Sequence, residues 1–183
     1  RKTNDINFRI NNLKKLKQVI KENEDKVLDA LKKDLGKSNF ESYATEVGLI
    51  YDEINTHIKN IKKWSKIEKS KSPIVYYPAK SYIYKEPYGV TLIIGPFNYP
   101  FQLVIAPLIG AISAGNTAII KPSENAKNTS ILLEEIINEN FQEGYLRVVS
   151  PLEGKEAGSA LLDLPFDYIF FTGSIRVGKI VME

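Results

Sequence analysis

The sequence has 183 residues, 43% hydrophobic and 26% charged, with 25 basic against 22 acidic side chains for a formal charge of +3, a profile expected of one ordinary globular domain. Zero cysteines and a single histidine, His57, exclude disulfide scaffolds, cysteine-ligated zinc, His-rich metal sites and a thiol nucleophile on this chain, so any covalent step here would fall to Ser, Thr, Lys or a carboxylate. A charge this small argues against a nucleic-acid partner, because the two lysine-rich stretches, 14–21 and 59–71, carry apolar residues at helical spacing and read as solvated helix faces.

In chain order, Leu13, Leu16, Ile20, Val27, Leu28, Leu31 and Leu35 fall on one face at a period of 3.6, and Gly36 stands where a glycine would end that helix. A second helix is predicted over 40–67, with the stripe Tyr43, Val47, Ile50, Ile54, Ile58, Ile61 and Trp64. His57 lies beside this stripe with no titratable partner nearby in sequence, which reads as an ordinary helix residue. From 71 to 89 the composition turns to Pro, Tyr and Ser, and 74–84 predicts two short strands around a turn. A two-stranded arm needs a surface to pair with. It is either an oligomer contact or a solvent-facing loop.

After Gly89 the pattern alternates. Strands are predicted at 90–95, 117–121, 146–149 and 167–171. Helices are predicted at 101–114 and 128–140, a helical turn at 158–162, and a last helix from Ile175 onward. The most apolar stretch, 97–120, is broken by Pro100, Pro107 and several glycines and fails as a bilayer span. Arg1 is followed by polar residues rather than a signal peptide, so a cytoplasmic location is expected. All-apolar strands separated by helices predict an α/β fold with a mainly parallel, doubly wound, Rossmann-like sheet.

Ligands of such sheets bind beyond the carboxyl ends of the strands, and three turns there are informative. In Gly95-Pro96-Phe97-Asn98-Tyr99-Pro100-Phe101, two prolines stiffen the chain and could hold the Asn98 amide in one orientation for an oxyanion. Equally, Asn98 could cap the following helix. In Lys121-Pro122-Ser123-Glu124, an ammonium and a carboxylate three residues apart could both reach a ribose, or form a surface ion pair. In Phe171-Thr172-Gly173-Ser174-Ile175-Arg176-Val177-Gly178-Lys179, a strand runs through Gly173 and Ser174 into a helix, whose free N–H groups suit a phosphate. This third turn matches neither G-x-G-x-x-G nor a P-loop.

Together these blocks, with Tyr84-Lys85-Glu86-Pro87-Tyr88-Gly89-Val90 and Ala114-Gly115-Asn116-Thr117-Ala118-Ile119-Ile120 ahead of Lys121, resemble the aldehyde dehydrogenase superfamily. Within it they are most similar to the class 3 group acting on fatty and aromatic aldehydes. The resemblance covers essentially the whole chain. It implies an NAD- or NADP-dependent oxidation of an aldehyde to a carboxylic acid through a cysteine thioester, or, in sibling members, transfer of the acyl group to another acceptor. It implies that Asn98 is the oxyanion-hole amide and that Lys121 and Glu124, with Ser123 in the same turn, hold the adenine ribose. Gly173 and Ser174 would receive the pyrophosphate, Phe171, Val177 and Gly178 would line the dinucleotide cleft, and Ile94, Gly95 and Pro96 would approach the nicotinamide.

The same resemblance divides the chain into helices at 1–70 packed on the cofactor domain, an oligomerisation arm at 71–89 joining a homodimer, and the first part of the dinucleotide-binding domain at 90–183. Phe97 stands where the family often has Trp. The family's cysteine nucleophile and the glutamate of its Leu-Glu-Leu-Gly-Gly-Lys segment are expected beyond Glu183. The chain then reads as an N-terminal portion without the catalytic domain, inactive alone or serving as a nucleotide-binding or assembly module.

Overall fold

The structure, a computed structural model, describes residues 2–183, without the side chain at position 155. Asp5 opens the first helix, α1 (Ile6–Glu22), by accepting from the Phe8 N–H at 2.9 Å, as a side-chain cap does. The single helix predicted through 13–35 is in fact two. At Asn23 the backbone leaves helical geometry (φ −112°, ψ 14°) and its side-chain amide bonds back to the Val19 carbonyl at 2.9 Å. The second helix, α2 (Glu24–Leu35), begins at once. Ile20 and Val27 are seven residues apart, almost two whole turns, so the apolar face passes across the break and the period does not register it. The predicted stop is correct: Gly36 adopts φ 70° and closes α2.

The stretch predicted as one helix over 40–67 is built from a short α3 (Asn39–Ser42), a wider π turn (Tyr43–Val47) and α4 (Gly48–Trp64). A π turn holds an extra residue and so rotates the helical faces on its two sides relative to each other. Tyr43, expected on the buried stripe, is 44% exposed, while Glu46, four residues before Ile50 and so on the same face, is wholly buried. His57, read from the sequence as without a titratable partner, has one four residues earlier in Glu53 and two more contacts from the folded chain. Its Nδ1 lies 2.6 Å from the Ser113 hydroxyl, its Nε2 lies 3.3 Å from Glu53, and its ring meets Trp64 edge-on.

The arm pairs earlier strands than expected. β1 (Glu68–Ser70) runs antiparallel to β2 (Ser81–Ile83), in the register Glu68 to Ile83 and Ser70 to Ser81. Ile74–Tyr76, expected as strand, forms a 3-10 turn. That segment lies between Pro73 and Pro78, neither of which can donate to a ladder, and its apolar run lacks the alternation of a half-buried strand. Ile74 and Tyr77 are 90% and 86% exposed.

Four parallel strands come next, close to their predicted places: β3 (Val90–Ile94), β4 (Thr117–Lys121), β5 (Leu146–Val148) and β6 (Tyr168–Phe171). Their spatial order is β5-β4-β3-β6. The chain thus builds outward from β3 to β5, then crosses back to the other side of β3, which is the first half of a Rossmann sheet and puts its switch point between β3 and β6. The intervening helices are α5 (Gln102–Ala114), α6 (Lys127–Asn140) and α7 (Gly154–Leu162), with α8 (Ile175–Met182) after β6. The N-terminal helices cover α5 and α6: α4 and α1 pack on α5, and α2 packs on α6. One continuous cluster joins Leu16, Ile20, Leu31 and Ile54 of that layer to Ile105, Leu108 and Ile112 of α5 and Ile93, Ile120 and Val148 of the sheet.

Candidate functional site

The parallel register aligns the strand ends. Ile94 pairs with Lys121 on one side and with Phe171 on the other. The three turns singled out in the sequence therefore leave from three adjacent residues in a row, Phe171, Ile94 and Lys121, spanning about 10 Å at the usual strand spacing.

The first turn begins by prolonging the sheet, since the Gly95 N–H donates to the Lys121 carbonyl at 3.1 Å. A Cβ at Gly95 would lie 2.2 Å from Val104 Cγ2, so only glycine lets α5 pack this close. Phe97, Asn98 and Tyr99 are exposed at the crest, and Pro100 and Phe101 are buried beneath it. The capping alternative for Asn98 is overturned. α5 has no cap from its own residues, and the carboxylate of Glu46, reaching across from the π turn, accepts from Phe101 N–H at 3.0 Å and Gln102 N–H at 3.1 Å. Lys37 Nζ is 2.6 Å from the other Glu46 oxygen, 3.5 Å from the Asn98 carbonyl and 4.1 Å from the Tyr99 ring centre. Sequence reasoning missed both residues. Lys37 stands just outside a helix end, and Glu46, four residues before Ile50, is a charged residue on an otherwise apolar face.

In the second turn Lys121 and Glu124 form an ion pair at 2.6 Å with side chains 12% and 27% exposed. Ser123 is buried; its hydroxyl accepts from Asn125 N–H at 3.3 Å and its carbonyl accepts from the Ser130 hydroxyl at 2.7 Å, so it shapes the turn. α6 also lacks a cap of its own. Asp34 of α2 supplies it, accepting from Asn128 N–H, the Asn128 side-chain amide and Thr129 N–H at 3.0, 2.7 and 2.7 Å. Burial alone would raise the Asp34 carboxyl, but these hydrogen bonds from Thr129 and Asn128 outweigh it and hold the group below its ordinary value.

In the third turn Thr172 N–H donates to the Ile94 carbonyl at 3.1 Å. The Phe171 ring then folds against both glycines: a Cβ at Gly173 would lie 2.5 Å from Phe171 Cζ, and one at Gly178 would lie 3.4 Å from Phe171 Cε1. Ser174 caps α8 by accepting from Val177 N–H at 3.4 Å, and Val177 and Ser174 face solvent. The electrostatic contrast among the helix starts is informative. α5 and α6 are already neutralised by carboxylates, whereas among the described residues no acidic side chain bonds to the first turn of α8. The described residues contain no group of three or more His, Asp or Glu placed to hold a metal ion, and no helix long and apolar enough to cross a membrane.

A parallel sheet of this order, with glycine-bearing turns aligned at its carboxyl edge, is a Rossmann-like α/β fold of the dinucleotide-binding class. The aldehyde dehydrogenase family pattern matches residues 2–183, and the chain belongs to that family. It is 52% identical over 181 residues to 4,4'-diaponeurosporen-aldehyde dehydrogenase of Staphylococcus aureus, covering 99% of this chain and 39% of that protein. It is 44% identical to aldehyde dehydrogenase family 3 member B2 of Mus musculus, again covering 99% of this chain and 37% of that protein, so the class 3 resemblance is established. Its fold superposes on a substrate-bound structure of Staphylococcus aureus AldH with a TM-score of 0.94 at 53% identity, over 97% of this chain and 38% of that one. The chain therefore spans about two fifths of its curated relatives' length. More distant solved relatives are complexes with NAD+ or with NADP.

Proposed function

We propose that the complete protein is an NAD(P)-dependent aldehyde dehydrogenase that oxidises an aldehyde to a carboxylic acid through a cysteine thioester, and that this chain supplies its dinucleotide face and oxyanion amide. The observation that carries this reading is the row Phe171, Ile94, Lys121, which brings all three turns to one edge of the sheet. The residues present fit a dinucleotide. The start of α8 offers uncovered N–H groups beside Gly173 and Ser174 for a pyrophosphate, with Phe171, Val177 and Gly178 as the wall. Half-buried Lys121 and Glu124 offer a donor and an acceptor to ribose hydroxyls, and Ser123 fixes their turn. Ile94, Gly95 and Pro96 lie at the switch point, where the reactive end of such a ligand sits.

When bound, the nicotinamide accepts a hydride. The chain's own contribution to chemistry is Asn98, whose exposed amide donates to the substrate oxygen as it acquires negative charge. The nucleophile is not on this chain, which has no cysteine. The arm, with Ile74, Val75, Tyr76 and Tyr77 exposed around a two-stranded ribbon, is read as one half of a homodimer contact. The full-length enzyme should reduce NAD+ or NADP+ with a fatty or aromatic aldehyde and release the free acid, one acid per reduced cofactor. Cofactor reduction that requires a thiol or phosphate acceptor would move the protein to the acyl-transferring branch. No reduction with any aldehyde would remove the assignment.

A further inference from the structure

We propose that Lys37 and Glu46 are positioning residues for the reaction: from the N-terminal helical layer they fix the orientation of the turn that presents the Asn98 amide. The inference rests on the reading of Asn98 as oxyanion donor and adds to it the device that aims the donor.

Glu46 is fully buried, and an ionised carboxylate is tolerated there only when paired and hydrogen-bonded throughout. It has three donors, and all bear on this turn: Phe101 N–H and Gln102 N–H at its end, and the Lys37 ammonium at 2.6 Å. Lys37, with a side chain 11% exposed, carries the restraint to the crest. Its ammonium lies 3.5 Å from the Asn98 carbonyl oxygen and over the Tyr99 ring at 4.1 Å, where the ring's negative face attracts a cation. The segment that follows the Asn98 side chain, from its own carbonyl through Tyr99 to the Phe101 and Gln102 N–H groups, is thus tied to one buried ion pair, while Asn98 itself is left exposed for a ligand.

Stability does not require this arrangement. A neutral cap would satisfy two N–H groups, and a buried ion pair contributes little net stability compared with apolar packing. What the pair does provide is direction, because a charge-assisted bond is short and geometrically demanding. Glu46 also lies within a π turn, Tyr43–Val47, an uncommon conformation that recurs at functional sites. An oxyanion donor must be held within about half an ångström, and a displacement of about 1 Å can cost on the order of 10²-fold.

The test uses the full-length enzyme and five variants: Lys37→Met, Lys37→Arg, Glu46→Gln, Asn98→Ala and the Lys37→Met/Asn98→Ala double. Lys37→Met keeps the length of the side chain and should lower kcat about 10-fold or more, with cofactor affinity and aldehyde KM within about twofold of wild type. Lys37→Arg, which can still reach Glu46 and stack on Tyr99, should recover most of the rate. In the double variant Lys37→Met should have no further effect, since there is no amide left to aim. Glu46→Gln, which keeps an acceptor for the α5 start but loses the charge that holds Lys37, should behave as Lys37→Met and serves if that variant folds poorly. A normal kcat in Lys37→Met and Glu46→Gln, or effects that multiply in the double variant, would overturn the proposal even where Asn98→Ala is slow. An Asn98→Ala enzyme with normal kcat would instead remove the underlying oxyanion reading.

Discussion

Asp34 caps a helix to which it does not belong: its carboxylate accepts from Thr129 N–H at 2.7 Å across 95 positions of sequence. Its other oxygen takes the Asn128 N–H and side-chain amide. Glu46 does the equivalent for α5. Two helices of the sheet domain thus obtain their first-turn acceptors from the N-terminal layer, which links the two parts by directional bonds as well as by the shared core.

This linkage predicts a pH-dependent stability. Asp34→Ala should cost about 1 kcal/mol, the usual loss on removing a cap. The folded-state pKa of Asp34 is lowered relative to an unfolded value of about 3.9. Its contribution is therefore fully present above that unfolded value and is lost as the pH falls through the folded one. Urea titrations of wild type and Asp34→Asn should differ at pH 7 and converge as the pH drops below about 4. A gap of constant size down to pH 3 would show that the carboxylate charge plays no part.

The sheet was legible in the sequence because its strands are short apolar runs between helices, and every strand from Val90 onward lies within a residue or two of its predicted place. The corrections fall where a local device defeats periodicity. In the π turn Tyr43 is exposed, and Glu46, a charged residue on the apolar face, is buried. Asn23 breaks a helix at a point where a period of seven conceals it, and prolines convert the expected strand at Ile74 into a turn. At the candidate site the three turns could be read from glycine and proline placement. What held them could not, because Lys37, Glu46 and Asp34 act over 61, 55 and 95 residues of separation.

The arm should mediate self-association. Tyr82 and Tyr84 lie 6.5 Å apart between ring centres and, with Ile74 and Tyr77, present an apolar surface on a ribbon too small to be stable alone. Changing Tyr82 and Tyr84 to Lys in the full-length protein should weaken a dimer by placing charge in an apolar contact. Sedimentation velocity would report the shift, and an unchanged dimer would take the arm out of the interface.

Cofactor preference should depend on Glu124. Its carboxylate, paired with Lys121 at 2.6 Å, would in the proposed role accept from ribose hydroxyls and repel a 2′-phosphate. Glu124→Gln should therefore lower the KM for NADP relative to that for NAD, and it leaves Lys121 available to the phosphate. Steady-state kinetics with both cofactors measure the ratio. A ratio that does not move would place the ribose contact elsewhere.

Turnover in the full-length enzyme should depend on Asn98 more than on any other residue of this chain. In the proposed role the amide would meet an oxygen that carries full negative charge only after nucleophilic attack, so its hydrogen bond would be stronger in the transition state than in the bound ground state. Removing one such donor typically costs on the order of 10² to 10³ in kcat, or about 3 to 4 kcal/mol. A cap residue would behave differently, losing about 1 kcal/mol of stability with turnover intact, but in this chain the cap of α5 is Glu46. Asn98→Ala should consequently melt at nearly the wild-type temperature and bind cofactor normally. Glu46→Ala should be the variant that loses stability, because it leaves two first-turn N–H groups and the Lys37 ammonium without their acceptor. Thermal melts and single-turnover rates on the two variants separate the roles. A slow, stable Asn98→Ala beside an unstable Glu46→Ala is the expected pattern. An Asn98→Ala that unfolds early and turns over at the wild-type rate would return Asn98 to the helix start and leave the oxyanion without its donor on this chain.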